Sequence, residues 1–433
     1  MSIRCTQSTA HTTTYRRRPE KTETMENRDI LVSGGGIAGA ALAYWLRRYG
    51  FRPTVVERAP APRTGGHGID IRGTARQVIE RMGLVPRIQD ARIRNRGMAW
   101  INAKGKAVAT MNLDVFGPSG GPVAEWALLR TDLARILYDA IRDDVEYVFD
   151  DAITGVRQDA DGVTATFEKA EPRRFDLLVG ADGVHSAVRG LAFGPDDRYV
   201  RDLNSFIALY SIDSDADLGG RQLMYTLPGR AGRPGRTAAL RPLAQPGRAM
   251  AGFFFRDPGL DFDRRDTAAQ KRVVARHFAD ADWEVPGLLA KMWDATDFYF
   301  DRVEQVHLDT WSTGRTVLVG DAAYCASPMS GIGTSLALVG AYVLAGELSR
   351  ADGDHRTALA AYEAAMRQFV DRAQEFARSS GDGGLLPDSS WQMWLRNQSV
   401  RALPYLPRRI AGRGLEPVAH TVTLADYATP AHH

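Results

Sequence analysis

The chain has 433 residues, 44% of them hydrophobic and 25% charged, which allows two or three globular domains with a sizeable core and excludes wholesale disorder. Its 55 Lys and Arg against 52 Asp and Glu leave a net charge of +3, too slight a bias to call for nucleic acid or an anionic membrane as partner. Two cysteines, Cys5 and Cys325, exclude an intrachain disulfide framework or a thiolate metal site and point to a reducing, cytoplasmic compartment.

Residues 1–27 are polar and rich in Ser and Thr, with no apolar stretch of the kind a secretory signal needs; Glu20, Glu23 and Glu26 count against an organellar transit peptide. They are expected to form a disordered tail, with Met25 a second candidate start. Four short apolar runs follow: Asp29–Ser33, Pro53–Glu57, Asp176–Ala181 and Thr316–Gly320. Each ends at or beside a Gly or an acidic residue, as parallel strands buried on both faces do where their carboxyl ends open on a site. A helix is expected at Ile37–Tyr49, directly after the first run.

Because these strands lie far apart in sequence, the domain they build is discontinuous, expected at 28–95, 125–194 and 303–380. Segments 96–124 and 195–302 are assigned to a second domain. Its runs Ser205–Ile212, Gln222–Leu227, Thr237–Arg241 and Ala249–Phe255, parted by Gly and Pro, predict an antiparallel sheet. Aromatic residues gather there (Phe206, Tyr210, Tyr225, Phe253, Phe254, Phe255, Phe298, Tyr299, Phe300), most as core and a minority as lining for a flat substrate. The apolar stretch Gly331–Leu348 is interrupted by Thr334, Ser335 and glycines, so it suits a buried helix and no membrane span is expected. A long amphipathic helix is predicted over Thr357–Arg378 and another over Ser390–Leu403, within a 381–433 segment of C-terminal helix and tail whose Arg- and Pro-rich end is expected to pack loosely. The fold class is thus α/β: a discontinuous Rossmann-like domain, an inserted antiparallel-sheet domain and C-terminal helices.

The chemistry begins at Gly34-Gly35-Gly36-Ile37-Ala38-Gly39, a G-x-G-x-x-G loop set between an apolar strand and a helix. Gly34 allows the tight turn, Gly36 lets the backbone approach a pyrophosphate, and Gly39 lets helix and sheet pack closely, with Ala38 in the first helical turn. Amides and the positive end of the helix dipole then face the phosphates. Glu57 closes the second strand about 20 residues on, where a carboxylate accepts ribose hydroxyls; Arg58 follows it. The loop by itself does not separate NAD from FAD.

Two further motifs do. Asp176-Leu-Leu-Val-Gly-Ala-Asp182-Gly183-Val-His-Ser186-Ala-Val-Arg189 and Gly320-Asp321-Ala-Ala-Tyr-Cys-Ala-Ser-Pro328-Met-Ser-Gly331-Ile-Gly333 resemble the second and third fingerprints of the flavoprotein aromatic hydroxylases, the monooxygenases typified by para-hydroxybenzoate hydroxylase. The similarity spans about residues 28–350. Within that family the chain looks most like the tetracycline-inactivating and antibiotic-tailoring oxygenases. The resemblance implies FAD as cofactor, NADPH (or NADH) as a transient co-substrate, and dioxygen activated as a C4a-(hydro)peroxyflavin that oxygenates an aromatic or polycyclic small molecule, in a monomer or homodimer. It places Asp321 and Arg130 at the FAD ribityl or pyrophosphate, and Pro328, Gly331 and Gly333 along the flavin ring, with the following helix aimed at its pyrimidine side. It gives Asp182 a part in both FAD placement and NADPH binding. Gly65-Gly66-His67-Gly68-Ile69-Asp70 resembles the segment beside the flavin in the tetracycline-inactivating members, so that Asp70 touches the cofactor and Arg63 assists NADPH. His67 is a candidate acid/base or substrate contact, against the plainer reading of a loop histidine.

Three positions depart from the family pattern: Tyr324 where histidine is usual, Ser335 where asparagine is, and Gly340 where aspartate is. Two alternatives stay open: a flavin reductase, oxidase or dehydrogenase of the same fold, and a flavin-binding accessory protein without turnover, the latter supported only by these departures. A flavin halogenase is set aside, since Trp391 and Trp394 are wrongly spaced for the halogenase signature.

Overall fold

The computed structural model describes residues 26–62, 67–113, 124–230, 232–381, 385–405 and 416–427. Its centre is a six-stranded sheet in the order Ser312–Thr313, Thr316–Leu318, Leu177–Gly180, Asp29–Ser33, Arg52–Glu57, Glu146–Phe149. All neighbours pair in parallel except the first two. The four apolar runs of the sequence are therefore four adjacent strands. Helices cover the sheet, and Ile30, Leu31, Val32, Leu177, Leu178 and Val317 are wholly buried, which is why these strands read as unbroken apolar runs rather than alternating ones. The Asp29–Ser33 strand has its successor in the chain on one side and a strand from beyond residue 170 on the other. Ligands in such sheets bind at the carboxyl edge of that switch point.

The second sheet has seven strands, ordered Tyr299–Val306, Val200–Asp213, Arg248–Arg256, Arg236–Pro242, Arg221–Leu227, Gly97–Ile101, Ala107–Asn112. Every pair is antiparallel except Arg221–Leu227 with Gly97–Ile101. Helices Thr267–Phe278 and Val285–Met292 close one face over an apolar cluster that holds Phe206, Tyr210, Tyr225, Phe253, Phe255 and Phe300. Strand alternation turns Phe254 and Tyr299 to the other face, where they share a cluster with Met329 of the first domain. Most of the aromatic residues are core, as expected, and those two stand at the junction with the nucleotide fold.

The helix after the glycine loop is Ile37–Arg48, and the apolar Gly331–Leu348 stretch is the helix Gly333–Arg350, buried along nearly its whole length. Among the described residues no helix is long and apolar enough to cross a membrane. The predicted long helix runs His355–Gly381 and the last one Ser390–Ala402, started by the Ser389 hydroxyl accepting from the Gln392 amide at 3.2 Å. Two expectations for the ends are corrected. Glu26 and Asn27 are not tail: the Glu26 backbone amide donates to the Asp352 carbonyl at 3.0 Å, and the Asn27 side-chain Nδ2 to the Gly353 carbonyl at 2.8 Å. Nor do residues 416–427 pack loosely, since Val418, Ala419 and Tyr427 are buried and the Tyr427 hydroxyl donates to Glu347 at 2.6 Å. Residues 1–25, including Cys5, lie outside the described residues.

The departures at Tyr324 and Gly340 turn out to be one feature. A Cβ on Gly340 would lie 2.0 Å from the Tyr324 hydroxyl oxygen and 3.3 Å from the ring carbon bearing it. Tyr324 is fully buried, and the Tyr362 hydroxyl sits 3.0 Å from its oxygen. The larger ring at 324 thus occupies the space that any side chain at 340 needs. Ser335 is equally engaged: its hydroxyl accepts from the Arg72 amide at 3.0 Å and donates to the Arg72 carbonyl at 3.2 Å. Gly340→Ala is expected to destabilise the protein by about 1–3 kcal/mol through overpacking, read as a lower melting temperature. Tyr324→Phe, which removes only the offending oxygen, is expected to recover most of that loss; equal destabilisation in both backgrounds would contradict the coupling.

Candidate functional site

Three loops meet at the carboxyl edge of the six-stranded sheet. The first turns at Gly34, whose φ of +101° favours glycine and whose missing side chain would lie 2.7 Å from the Ala181 carbonyl oxygen. A Cβ on Gly39 would fall 1.9 Å from the Gly34 carbonyl oxygen, so the helix start rests directly on the loop. A Cβ on Gly36 would meet nothing within 4 Å: its face is open, and no side chain caps the helix there. Glu57 ends its strand with one carboxylate oxygen accepting the Gly35 amide at 2.8 Å and the other the Ala59 amide at 2.9 Å, which binds the acidic residue to the glycine loop itself. Arg58 beside it is exposed.

The second loop is braced from within. The Asp182 carboxylate accepts the Ser186 hydroxyl at 2.5 Å, the Val188 amide at 3.2 Å and the Ser33 hydroxyl at 3.4 Å. Burial pushes its pKa up, against the pull of those bonds. Arg189, fully buried, donates to the Ala322 carbonyl at 2.9 Å and to Asp196 at 2.7 Å, and so ties the second loop to the third. In the third, Ala38 comes within 2.9 Å of where a Gly320 side chain would stand, and the Asp321 carboxylate faces Gly333 with only 3.8 Å to its Cβ position. Burial raises the Asp321 pKa, partly offset by the charge of Arg130. Pro328 opens a short 3-10 turn that Gly331 ends with a φ of +61°, just before the helix at Gly333.

The opposite wall comes from the strand Gly68–Asp70, paired with Ala127–Leu129, and from the seven-stranded sheet. The Arg130 amide donates to the His67 carbonyl at 2.9 Å. Asp70 pairs with the wholly buried Arg72 at 2.6 Å, and Arg72 in turn donates to the Gly331 carbonyl at 3.1 Å, which joins this wall to the third loop. Arg241, from the strand Arg236–Pro242, stands 3.7 Å from Asp70. The Asp70 oxygen nearer to it and the Arg241 Nε and Nη2 have no hydrogen-bond partner among the described residues. Arg241 carries no motif, and nothing in the sequence singled it out. Arg63, Gly65 and Gly66 lie outside the described residues. A groove of about 760 Å³ lined by Arg315, His355 and Arg367 lies elsewhere and holds none of these residues.

His67 packs its ring on Tyr299, centroids 5.5 Å apart, and its pKa is pushed down to about 3, first by burial and then by the charges of Arg130 and Arg241. It is therefore neutral near pH 7. Because the folded value lies below the unfolded one of about 6.5, its stabilising effect is complete above that value and is lost as the pH falls toward 3. His67→Asn is expected to be less sensitive to acid over that window than the wild type, measured as melting temperature against pH. A His67 ring that titrates above pH 5 in the folded protein would contradict this.

The comparisons agree with this geometry. A family profile described as FAD binding domain matches residues 27–377. A "Flavin-dependent monooxygenase" of Legionella longbeachae is 36% identical over 363 residues, 84% of this chain and 91% of that one. A crystal structure of the tetracycline destructase Tet(55) is 35% identical with a TM-score of 0.78, covering 93% of this chain and 99% of its own. The Klebsiella pneumoniae protein HpxO, solved with FAD and uric acid, shares the fold at a TM-score of 0.73 and 23% identity, over 93% of this chain and 99% of that one. The chain binds FAD and belongs to the FAD-dependent, aromatic-hydroxylase-like monooxygenases.

Proposed function

We propose that this protein is a single-component monooxygenase that uses NAD(P)H and dioxygen to oxygenate a flat, ring-bearing small molecule. The observation that carries it is the meeting of the three loops at one carboxyl edge, opposite a wall where Asp70 of the strand Gly68–Asp70 and Arg241 of the seven-stranded sheet hold buried polar atoms with no hydrogen-bond partner among the described residues. The similarity to the tetracycline destructase Tet(55) supports a polycyclic substrate bearing several oxygens.

The residues present fit FAD. The open face at Gly36 admits a pyrophosphate against the amides of the Gly34–Gly39 loop, with Ala38 small enough not to intrude. Glu57, already fixed by two amides, keeps lone pairs for the ribose hydroxyls, and Arg58 lies at that rim. Asp321 and Arg130, close enough to influence each other, are assigned to the ribityl and pyrophosphate. Pro328, Gly331 and Gly333 would form a wall of small side-chain bulk for the flavin ring, and the start of the Gly333–Arg350 helix favours negative charge there. Asp70, steadied by Arg72, would help hold the flavin from the opposite wall. Asp182, whose oxygens are taken up within its own loop, acts on FAD placement by holding that loop to Ser33. When bound and reduced by NAD(P)H, FAD supplies the two electrons that activate dioxygen. The chain excludes water, holds the substrate against the second sheet and keeps His67 neutral. Arg63 is retained as a proposed NADPH contact.

The departures at Tyr324, Ser335 and Gly340, the sole support for a non-catalytic accessory role, are each accommodated by packing or hydrogen bonds. Glu57→Ala is expected to weaken FAD binding about 10- to 100-fold, the range for charge-assisted hydrogen bonds, measured by titration of flavin fluorescence; unchanged affinity would contradict the assignment. The FAD-loaded wild type is expected to consume NAD(P)H and dioxygen faster when a polycyclic substrate is added. Consumption that no phenolic or polycyclic candidate accelerates would count against the monooxygenase reading.

A further inference from the structure

We propose that Tyr299, Asp301, His185 and Glu304 form a proton path that joins the cofactor cleft to bulk water. The inner end is Tyr299, which packs on His67, shares an apolar cluster with Met329 of the third loop, and lies within the fields of Arg130 and Cys325. Its hydroxyl donates to Asp301 at 3.2 Å. From the second loop, His185 places Nε2 3.8 Å from the same Asp301 oxygen and 3.6 Å from Glu304 Oε2. The outer end is Arg264, 3.8 Å from Asp301 and 3.7 Å from Glu304, with its side chain 45% exposed and that of His185 31%. Asp202 also faces Glu304 and is itself paired with Arg302 at 2.6 Å.

A structural ion cluster closes its hydrogen bonds, because a buried polar atom left unsatisfied costs about 1–3 kcal/mol. This cluster does not: His185 Nε2 and Glu304 Oε2 are both buried, face each other, and have no hydrogen-bond partner among the described residues. The imidazole stands between two carboxyls, near enough for a small rotation to reach either. The two acids are also unlike. Burial raises the pKa of Glu304, while Asp301, for all its burial, is held below the usual value by His185 and Arg264. The two carboxyls on either side of the imidazole thus differ in how readily they take a proton.

The need for such a path rests on the monooxygenase reading. Oxygenation converts NAD(P)H, one proton, dioxygen and substrate into NAD(P)+, water and oxygenated substrate, so each turnover takes up one proton in a cleft that must otherwise exclude water. In the path, His185 takes up a proton at Nε2 and passes it to Asp301; the Tyr299 hydroxyl turns from Asp301 toward the cleft, gives up its proton there as its oxygen takes the one on Asp301, and is left donating to Asp301 again. His185 is refilled from Glu304 or from water. One proton enters, one leaves, and no electrons move.

The test uses FAD-loaded protein and the near-isosteric variants His185→Gln, Asp301→Asn, Glu304→Gln and Tyr299→Phe. Asp301→Asn is expected to lower kcat as His185→Gln does; wild-type turnover in Asp301→Asn overturns the proposal. In substrate-saturated turnover, His185→Gln and Tyr299→Phe are expected to lower kcat about tenfold at alkaline pH and to enlarge the solvent deuterium effect, with FAD affinity unchanged. Added imidazole is expected to restore part of the rate to His185→Gln. A rise in KM for NAD(P)H alone, with pH profile and isotope effect unmoved, would make the cluster a cofactor-docking contact and overturn the path. The two failures are distinguishable: absence of substrate-dependent oxidation in the wild type sinks the monooxygenase reading, whereas wild-type turnover, pH profile and isotope effect in His185→Gln, Asp301→Asn and Tyr299→Phe sink the path and leave oxygenation intact.

Discussion

The contact on which the rest of the molecule depends is the one between Gly39 and the carbonyl of Gly34. A side chain at 39 would overlap that oxygen at 1.9 Å, so its absence is what lets a helix begin in contact with the loop it follows. With the helix held there, its amino end faces the carboxyl edge of the sheet and Ala38 is carried against Gly320, which positions the third loop. The second loop is fixed at the same place, where Gly34 approaches the Ala181 carbonyl, and Arg189 then clamps it to Ala322. Three segments distant in sequence are thus registered to one another through backbone contacts that only the smallest residues permit.

Charges in the site divide by how they are used. Glu57, Asp182 and Arg189 are occupied in holding loops, with their polar atoms answered by backbone amides, carbonyls and hydroxyls. Asp70, Arg241, His185 and Glu304 each keep a buried polar atom with no hydrogen-bond partner among the described residues. Since burial of an unanswered polar group opposes folding, its persistence marks places where a ligand, a substrate or a moving proton supplies the missing partner. The unanswered atoms fall in two pairs, Asp70 with Arg241 at the Gly68–Asp70 strand and His185 with Glu304 of Tyr299–Val306.

The central sheet was legible because its strands are buried on both faces, so apolar runs at Asp29–Ser33 and Leu177–Gly180 carry the signal without help from their neighbours. The edge strand Glu146–Phe149, more exposed, carried none, nor did the small sheet of Ile153–Gln158, Val163–Phe167 and Arg173–Phe175. Pairing between strands is non-local, and the parallel match of Arg221–Leu227 with Gly97–Ile101 could be known only from the fold. The loops that hold the cofactor were legible through spacing, since backbone approach demands glycine at fixed offsets. The facing wall was legible only in part: Asp70 and His67 came through the Gly65–Asp70 resemblance, whereas Arg241 acts through position on a strand, and the cluster about His185 joins a motif to strand residues that no local pattern links to it. Composition misled at residues 416–427, where an Arg- and Pro-rich average hid the buried Val418, Ala419 and Tyr427.

Oxygen insertion by FAD held between these loops is the central claim, and isotope transfer addresses it without reference to any single residue. FAD-loaded protein given NAD(P)H, a polycyclic substrate and ¹⁸O-labelled dioxygen should yield a product carrying one labelled oxygen atom, the other appearing in water. A product that acquires its oxygen from solvent, or label recovered wholly as hydrogen peroxide with the substrate unchanged, would contradict the account.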